Sequence, residues 1–138
     1  MMKFNICAGF GVAGSVVSYL LGGFDAALQT LLIFMVVDYV SGLAVAGIFK
    51  KSGKTETGGL NSTICFQGLI KKCMILLCVL MAHRLDVVLA LHYIRNGVCF
   101  AFMANEAISI LENAGEMGVP IPQIIRNAID LLKKKGDS

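Results

Sequence analysis

The sequence predicts an all-α, polytopic membrane protein with about four transmembrane helices and a C-terminal amphipathic helix. Of its 138 residues, 57% are hydrophobic and 15% are charged, whereas soluble domains carry about 25% charged residues. The mean hydropathy is +0.77, and several apolar stretches reach the roughly 20 residues that a helix needs to cross a bilayer. Because so few polar residues cannot cover a soluble globule, we expect the chain to lie in a membrane.

Apolar segments of spanning length supply the predicted transmembrane helices. They run from about Phe4 to Leu21, from about Ala26 to Phe49, from near Thr63 through "CMILLCVLMAH", and from about Gly97 to Asn113. The first segment follows a lysine and ends in small residues, as a signal peptide does, but the segments after it favour a retained first helix. The alternative is a three-span protein in which one weak segment lies at the interface.

The C-terminal part differs in character from the rest. "GVPIP" interrupts the chain, and a short amphipathic helix is predicted from about Pro122 to Lys135. Such a helix fits the inner membrane surface, with its lysines near anionic lipid, and it fits equally well against a sister subunit. We therefore divide the chain into a transmembrane helical domain, residues 1–118, and a cytoplasmic amphipathic helix with a basic tail, residues 119–138.

The basic residues predict the orientation. By the positive-inside rule, lysine clusters mark the cytoplasmic side. An even number of spans places all of them there, and with them both termini: Lys3; Lys50, Lys51 and Lys54; Lys133, Lys134 and Lys135. Arg84 and Arg95 then lie in a short outer loop, against the rule, with Asp86 partly balancing them. We expect Lys50, Lys51, Lys71 and Lys72 to anchor their helices at the interface by snorkelling.

Small residues recur at helical spacing in the first segment. Residues four apart are Gly11 and Ser15, and Gly14, Ser18 and Gly22. Small residues at this spacing let helix backbones approach closely in lipid, which favours a packing face for assembly or within the chain. The alternative is that membrane helices simply contain many glycines.

Asp38 lies near the middle of the second segment, followed by Ser41 and Gly42 at helical spacing. A carboxylate at this depth costs at least about 2.5–3.5 kcal/mol on insertion scales, so it must face protein or water. It can serve as a pore-facing or inter-helix contact. It can also form a structural hydrogen bond that holds the bundle together, and we favour this role, in the service of assembly.

A polar stripe follows in the fourth segment. At about 100° per residue, its polar side chains fall within an arc of about 120°. They are Asn105, Glu106, Ser109, Glu112, Asn113 and Glu116. Lipid cannot cover such a face. Either several copies bring their stripes together around a water-filled opening, or the helix is leaving the membrane here; the second alternative explains Asn105 and Glu106 less well because they lie deeper.

The sequence shows no sign of catalysis. It has no Gly-rich phosphate loop, no HExxH and no GxSxG, and neither a metal nor a cofactor is expected. The five cysteines form no CxxC pair, so we interpret them as inert, reduced thiols. With a net charge of only +3, nucleic-acid binding is not expected.

Blocks of the sequence resemble, in order, the phage holins of the toxin-secretion and phage-lysis class. They are "VVDYVSGLAVAGIFKK", "STICFQGLIKKCMILLCVLMAHRLD" and "ANEAISILENAGEMGVPIP". The resemblance covers about residues 30 to 132, and the last block is its most specific part. The polar positions that match the family are Asp38, Asn105, Glu106, Ser109, Glu112 and Asn113.

The resemblance implies a non-enzymatic protein of the bacterial cytoplasmic membrane. Such holins form homo-oligomeric lesions that let an endolysin reach the cell wall, and relatives near toxin genes are linked to toxin release. The implied partners are the lipid bilayer, further copies of the chain, and an endolysin that it need not bind. A small transporter or ion channel is the main alternative, although no internal repeat supports it, and a membrane adaptor is a third.

Overall fold

The computed structural model describes residues 1–50 and 57–137, and all regular structure within those ranges is helical. The helices are α1 (Met2–Leu20), α2 (Ala26–Ala44), α3 (Ser62–Leu89), α4 (Ile94–Glu116) and α5 (Gln123–Asp137). A π-helical segment, Val45–Phe49, continues α2. The predicted all-α class is therefore confirmed. Lys51 and Lys54, expected at the cytoplasmic interface, lie outside the described residues.

Sequence signals explain where the helices begin. The Asp25 carboxylate accepts a hydrogen bond from the Leu28 amide at 3.1 Å and so caps α2. The Asn61 side chain accepts from the amides of Thr63 and Ile64 at 3.0 and 3.2 Å and caps α3. These side-chain oxygens satisfy amides that lack a partner in the first turn of a helix.

The structure does not confirm four transmembrane helices. In the described part of the chain, only Ala26–Phe49 and Ser62–Leu89 are long and apolar enough to cross a membrane. Lys3 and Asn5 lower the hydropathy of α1. Arg95, Asn105 and Glu106 do the same for α4.

The core is built around α4, which packs against α2, α3 and α5. Its apolar centre combines residues of α2, α3 and α4 with the residue that follows α1. They are Leu21, Leu28, Leu31, Met35, Val79, Cys99 and Met103. The polar stripe predicted in the sequence therefore lies on the helix with the most neighbours.

Helix α1 stands apart from this core. It buries none of its residues against the rest of the described chain. A Cβ atom added at Gly11 or Gly14 would meet nothing within 4 Å. On the predicted packing face, Gly11, Gly14 and Ser15 are exposed and Ser18 is half-buried, and the role of this face in assembly stays a prediction. Gly22, by contrast, lies against Arg95 and His83.

Helix α5 folds back along α4. Ile129 is 7% exposed, and Gly136 lies so close to Ala101 that an added Cβ would come within 2.9 Å of its backbone. Since Gly136 is near the end of α5 and Ala101 is in the first third of α4, the two helices are antiparallel. Of the two positions left open by the sequence, the membrane surface and a sister subunit, the structure shows neither: α5 packs against its own chain.

Candidate functional site

Charged side chains from three helices meet in the middle of the bundle. The Lys72 ammonium of α3 lies 2.7 Å from an Asp38 oxygen of α2 and 2.6 Å from a Glu106 oxygen of α4. Asp38 and Glu106 are each only 7% exposed. We call Asp38, Lys72 and Glu106 the central triad. An ammonium shared by two carboxylates offsets most of the cost of burying them, which an isolated charge could not do.

The triad adds partners that the sequence did not indicate. The Lys72 ammonium, expected at the membrane interface, is held by the two carboxylates, and its role as an anchor stays a prediction. Asp38 and Glu106 are thus paired within a single chain. Periodicity within one segment places a charge on a face, but it cannot show which charge on another helix lies opposite.

A hydrogen-bond network extends the triad along α4. The Asn113 amide nitrogen donates to the Ser41 hydroxyl at 2.8 Å and to both the backbone and the carboxylate oxygens of Asp38 at 3.2 Å. The Ser41 hydroxyl donates to the Asp38 backbone carbonyl at 3.0 Å. Gly42 lies beside this contact, where an added Cβ would come to 3.7 Å from the Asn113 amide nitrogen, an ordinary van der Waals distance. The polar positions predicted on α2 thus do make inter-helix contacts.

The polar stripe of α4 divides into two lines. Glu106 and Asn113 are buried and face the bundle, with half-buried Ser109 between them and beside Asp38. Asn105, Glu112 and Glu116 are exposed. We call these three residues the outer line. Within the polar stripe, the outer line is thus the part that stays exposed.

A cleft of about 720 Å³ leads into the triad between α2, α3 and α4. Its walls carry charges of both signs, including Lys71, Lys72, Glu106, Glu112 and Glu116. Lys71 is exposed, and so is Lys50 at the end of the π-helical segment, where anchoring at an interface stays a prediction for both. The charged groups stand among apolar wall residues such as Leu43, Ile64 and Ile75, and they need water or a partner to solvate them.

A second polar cluster, which the sequence analysis missed, closes the opposite end of the bundle. Arg95 is 5% exposed. Its guanidinium donates to the backbone carbonyls of Leu21 and Gly23 at 2.8 and 3.0 Å and to the Asp25 carboxylate at 2.6 Å. Arg95 therefore holds the turn between α1 and α2 against α4. The sequence contains one signal for this cluster: an acidic residue, Asp25, directly follows "LLGGF" at the predicted outer end of the second segment.

Two acids complete this cluster. The Asp86 carboxylate accepts from the amides of Ile94 and Arg95 at 3.0 and 2.9 Å, so it caps α4 rather than neutralising a loop arginine. Partial burial raises the pKa of Asp25, but the hydrogen bonds from Arg95 and the Leu28 amide outweigh it and hold that pKa below its usual value. At this end of the bundle, hydrogen bonds of charged side chains connect the turn before α2, the end of α3 and the start of α4.

Within residues 1–50 and 57–137, no group of three or more His, Cys, Asp or Glu side chains is arranged to hold a metal ion. All five cysteines are unpaired thiols. What the described arrangement offers is a pair of buried polar clusters and an exposed line of polar residues on a mostly apolar bundle.

A family model described as the bacteriophage holin family matches residues 15–134. The chain belongs to the bacteriophage holin family. Membership suggests a non-enzymatic protein associated with a membrane, which agrees with the two apolar helices. The resemblance drawn from the sequence is thereby confirmed.

Several curated proteins are similar over most of this holin-family chain. An uncharacterised protein of Listeria monocytogenes is 38% identical over 136 residues, covering 98% of this chain and 89% of that protein. An uncharacterised 14.9 kDa protein of Clostridium perfringens, in the nagH 3′ region, is 35% identical over 124 residues, 88% of each chain. A probable holin of Bacillus phage phi105 is 27% identical over 111 residues, 80% of this chain and 76% of that protein. No solved structure matches the chain significantly.

Proposed function

We propose that this chain is a holin: it homo-oligomerises in the bacterial cytoplasmic membrane and forms lesions through which an endolysin, or a toxin, crosses. Family membership supports this role, as does the name of the phage relative. The observation that carries the proposal is the outer line. Asn105, Glu112 and Glu116 are exposed on the helix that forms the centre of the bundle.

The outer line supplies a reason for copies to associate. A glutamate that faces lipid tails loses its hydration. Asn105, Glu112 and Glu116 stay exposed in the single chain, although α5 borders Glu112. When several copies turn their outer lines toward a common opening, water solvates the glutamates. The central triad has a different role in the same proposal. It keeps Asp38, Lys72 and Glu106 paired within a single chain before assembly.

Assembly of this kind is collective. Polar contacts between membrane helices average only about 0.6 kcal/mol, so many of them must add up before a lesion is stable. We therefore expect a threshold in membrane concentration. Depolarisation recorded against expression level tests this, because a leak that rises linearly from the lowest level is incompatible with collective assembly.

The orientation expected from the positive-inside rule is a multi-pass chain with its N-terminus and C-terminus on the cytoplasmic side. We propose this side for the N-terminus and the start of α5, whereas the end of α5 lies against Ala101, near the start of α4. The cleft that leads to the triad then opens toward the cytoplasm, since its walls include Asn61 at the start of α3 and Glu116 at the end of α4. No direct contact with the endolysin is required, because the lesion only has to let it through.

A small transporter or ion channel is the second candidate, and the cleft favours it. A cleft of about 720 Å³ with mostly apolar walls that ends at paired charges is what a binding site for a small ion or solute would look like. The two candidates differ in what crosses the membrane, since a transporter site passes small solutes and a lesion passes a folded enzyme.

Co-expression with a cytoplasmic endolysin that lacks an export signal separates these functions. If the chain is a holin, we expect a sudden fall in culture density after a delay, with endolysin released from the cells. Expression without the endolysin, and endolysin without the chain, are the controls. Selective solute flux without enzyme release would support the transporter, and unchanged permeability would overturn both and leave a membrane adaptor.

A further inference from the structure

The position of α5 places charged residues alongside α4. With a rise of about 1.5 Å per residue, the 23 residues of α4 extend about 34 Å, close to the roughly 30 Å of a bilayer's hydrocarbon core. The Lys135 ammonium lies 5.6 Å from the centre of the Phe100 ring. Phe100 is only six residues from the start of α4. In a chain whose α4 crosses the bilayer, the lysines of α5 therefore lie at bilayer depth.

The faces of α5 show what can surround it. At about 100° per residue, one side of the helix is entirely polar. The residues of this polar face are all exposed: Gln123, Arg126, Asn127, Asp130, Lys133, Lys134 and Asp137. The opposite side is apolar except for Lys135, and α4 covers Ile129 and Gly136 while Ile124 and Leu131 stay 77% and 62% exposed. Lipid can cover the apolar strip, whereas only water can cover the polar face.

The polar face of α5 is continuous with the outer line of α4. A second hollow of about 340 Å³ lies between these helices, and Glu112 shares its wall with Arg126, Asp130 and Lys133. Glu112 also lines the larger cleft that reaches Lys72. One charged surface thus extends from the triad across α4 to α5, with acids and bases interspersed.

We infer that α5, docked antiparallel on α4, forms a water-facing wall of the lesion. This inference rests on the proposed holin function and adds to it, because the C-terminal helix then enters the opening instead of staying on the cytoplasmic surface. The chain reverses its direction after Glu116, and α5 then packs against α4 where Gly136 contacts Ala101. The helix α4 carries too many polar groups to pass as a lipid-surrounded span, which is what a helix bordering water requires.

Docking is tested by a wedge in the contact between the helices. Gly136→Leu places a side chain where a Cβ alone comes within 2.9 Å of the Ala101 backbone. Gly115→Leu is the matched control, because a Cβ there meets nothing within 4 Å. At equal membrane levels, we expect Gly136→Leu to lose endolysin-dependent lysis and Gly115→Leu to keep it. Lysis at the wild-type time with Gly136→Leu overturns the inference.

The wall itself is tested by ion selectivity. The full-length chain in a planar bilayer under a potassium chloride gradient gives a reversal potential, which depends on the charges that line the opening. Arg126→Glu with Lys133→Glu is expected to shift the permeability ratio toward potassium, whereas Lys3→Glu on α1, which has no contact with this surface, is the control and leaves it unchanged. An unshifted ratio in the double variant overturns the inference.

The two levels of the proposal fail in different ways. A wild-type chain that neither lyses cells with endolysin nor conducts in a bilayer overturns the holin function and the wall together. A wild-type chain that does both, with wedge and charge variants that behave like it, overturns the wall alone and leaves the holin function standing.

Discussion

The Lys72 ammonium lies 2.6 Å from the Glu106 carboxylate and joins α3 to α4 at the inner end of the cleft. The same ammonium binds Asp38 of α2 at 2.7 Å. One side chain thus connects the three helices that enclose the cleft. Asp38 and Glu106 are paired with it inside a single chain, whereas Glu112 and Glu116 are exposed.

Lys72→Met is expected to lower the free energy of unfolding by about 3–5 kcal/mol, because it leaves two buried carboxylates facing each other without a cation. Lys71→Met, one residue earlier and exposed, should change it by less than about 0.5 kcal/mol. Thermal unfolding of both variants in the same detergent compares them. Equal stability of the two variants would mean that the triad does not hold the bundle.

Asn113→Leu should cost about 1–3 kcal/mol of stability, because the hydroxyl of Ser41 and the oxygens of Asp38 lose their donor in a buried setting. Asn105→Leu is the matched change on the exposed side of the same helix and should leave the unfolding temperature unchanged. Both are measured by unfolding in detergent. A larger loss for Asn105→Leu than for Asn113→Leu contradicts the assignment of the two lines.

We expect the free energy of unfolding to depend on pH through Asp25. Its pKa in the folded chain is lower than the value of 3.8 for a free carboxyl, so its bond to Arg95 contributes fully above that pH and is lost as pH falls below it. The contribution is small because the carboxylate is 49% exposed and solvent screens it. The unfolding free energies of wild type and Asp25→Asn should therefore converge as the pH falls below 3.8. Asp130→Asn, which keeps the pair, should follow the wild type; a constant offset between wild type and Asp25→Asn at all pH values contradicts this.

Gly22 and Gly23 offer a matched pair at the turn before α2. Both have positive φ, 93° and 102°, so alanine strains the backbone at either position. Only at Gly22 would the new Cβ also come within 2.9 Å of Arg95 and His83, whereas at Gly23 it meets nothing within 4 Å. Gly22→Ala should therefore be less stable than Gly23→Ala by about 1–3 kcal/mol. Indistinguishable unfolding temperatures would show that the turn does not press on Arg95.

The sequence predicted the helices and the polar stripe, but not the pairing of charges. Asp38 and the "NEAISILEN" pattern identified polar positions within single helices. The opposite charges, Lys72 for Asp38 and Arg95 for Asp25, are 34 and 70 residues away along the chain. Contacts over such separations depend on how the helices pack, and periodicity carries no information about that.

The number of spans and the place of α5 were also beyond the sequence. Hydropathy treats every apolar helix as surrounded by lipid, so it could not separate α2 and α3, which pass that test, from α4, whose polar groups face protein or solvent. For α5, amphipathicity predicted that one face would be covered. It could not say that Ala101 of the same chain would cover it.

The outer line is tested most directly by the timing of endolysin-dependent lysis in Asn105→Leu/Glu112→Leu/Glu116→Leu, at a membrane level matched to wild type. Glu112→Gln/Glu116→Gln is the control, because its amides still require water and should keep lysis. If exposed polar groups drive the chains to gather around water, the leucine variant accumulates in the membrane and never triggers lysis. Lysis by the leucine variant at the wild-type time would contradict this.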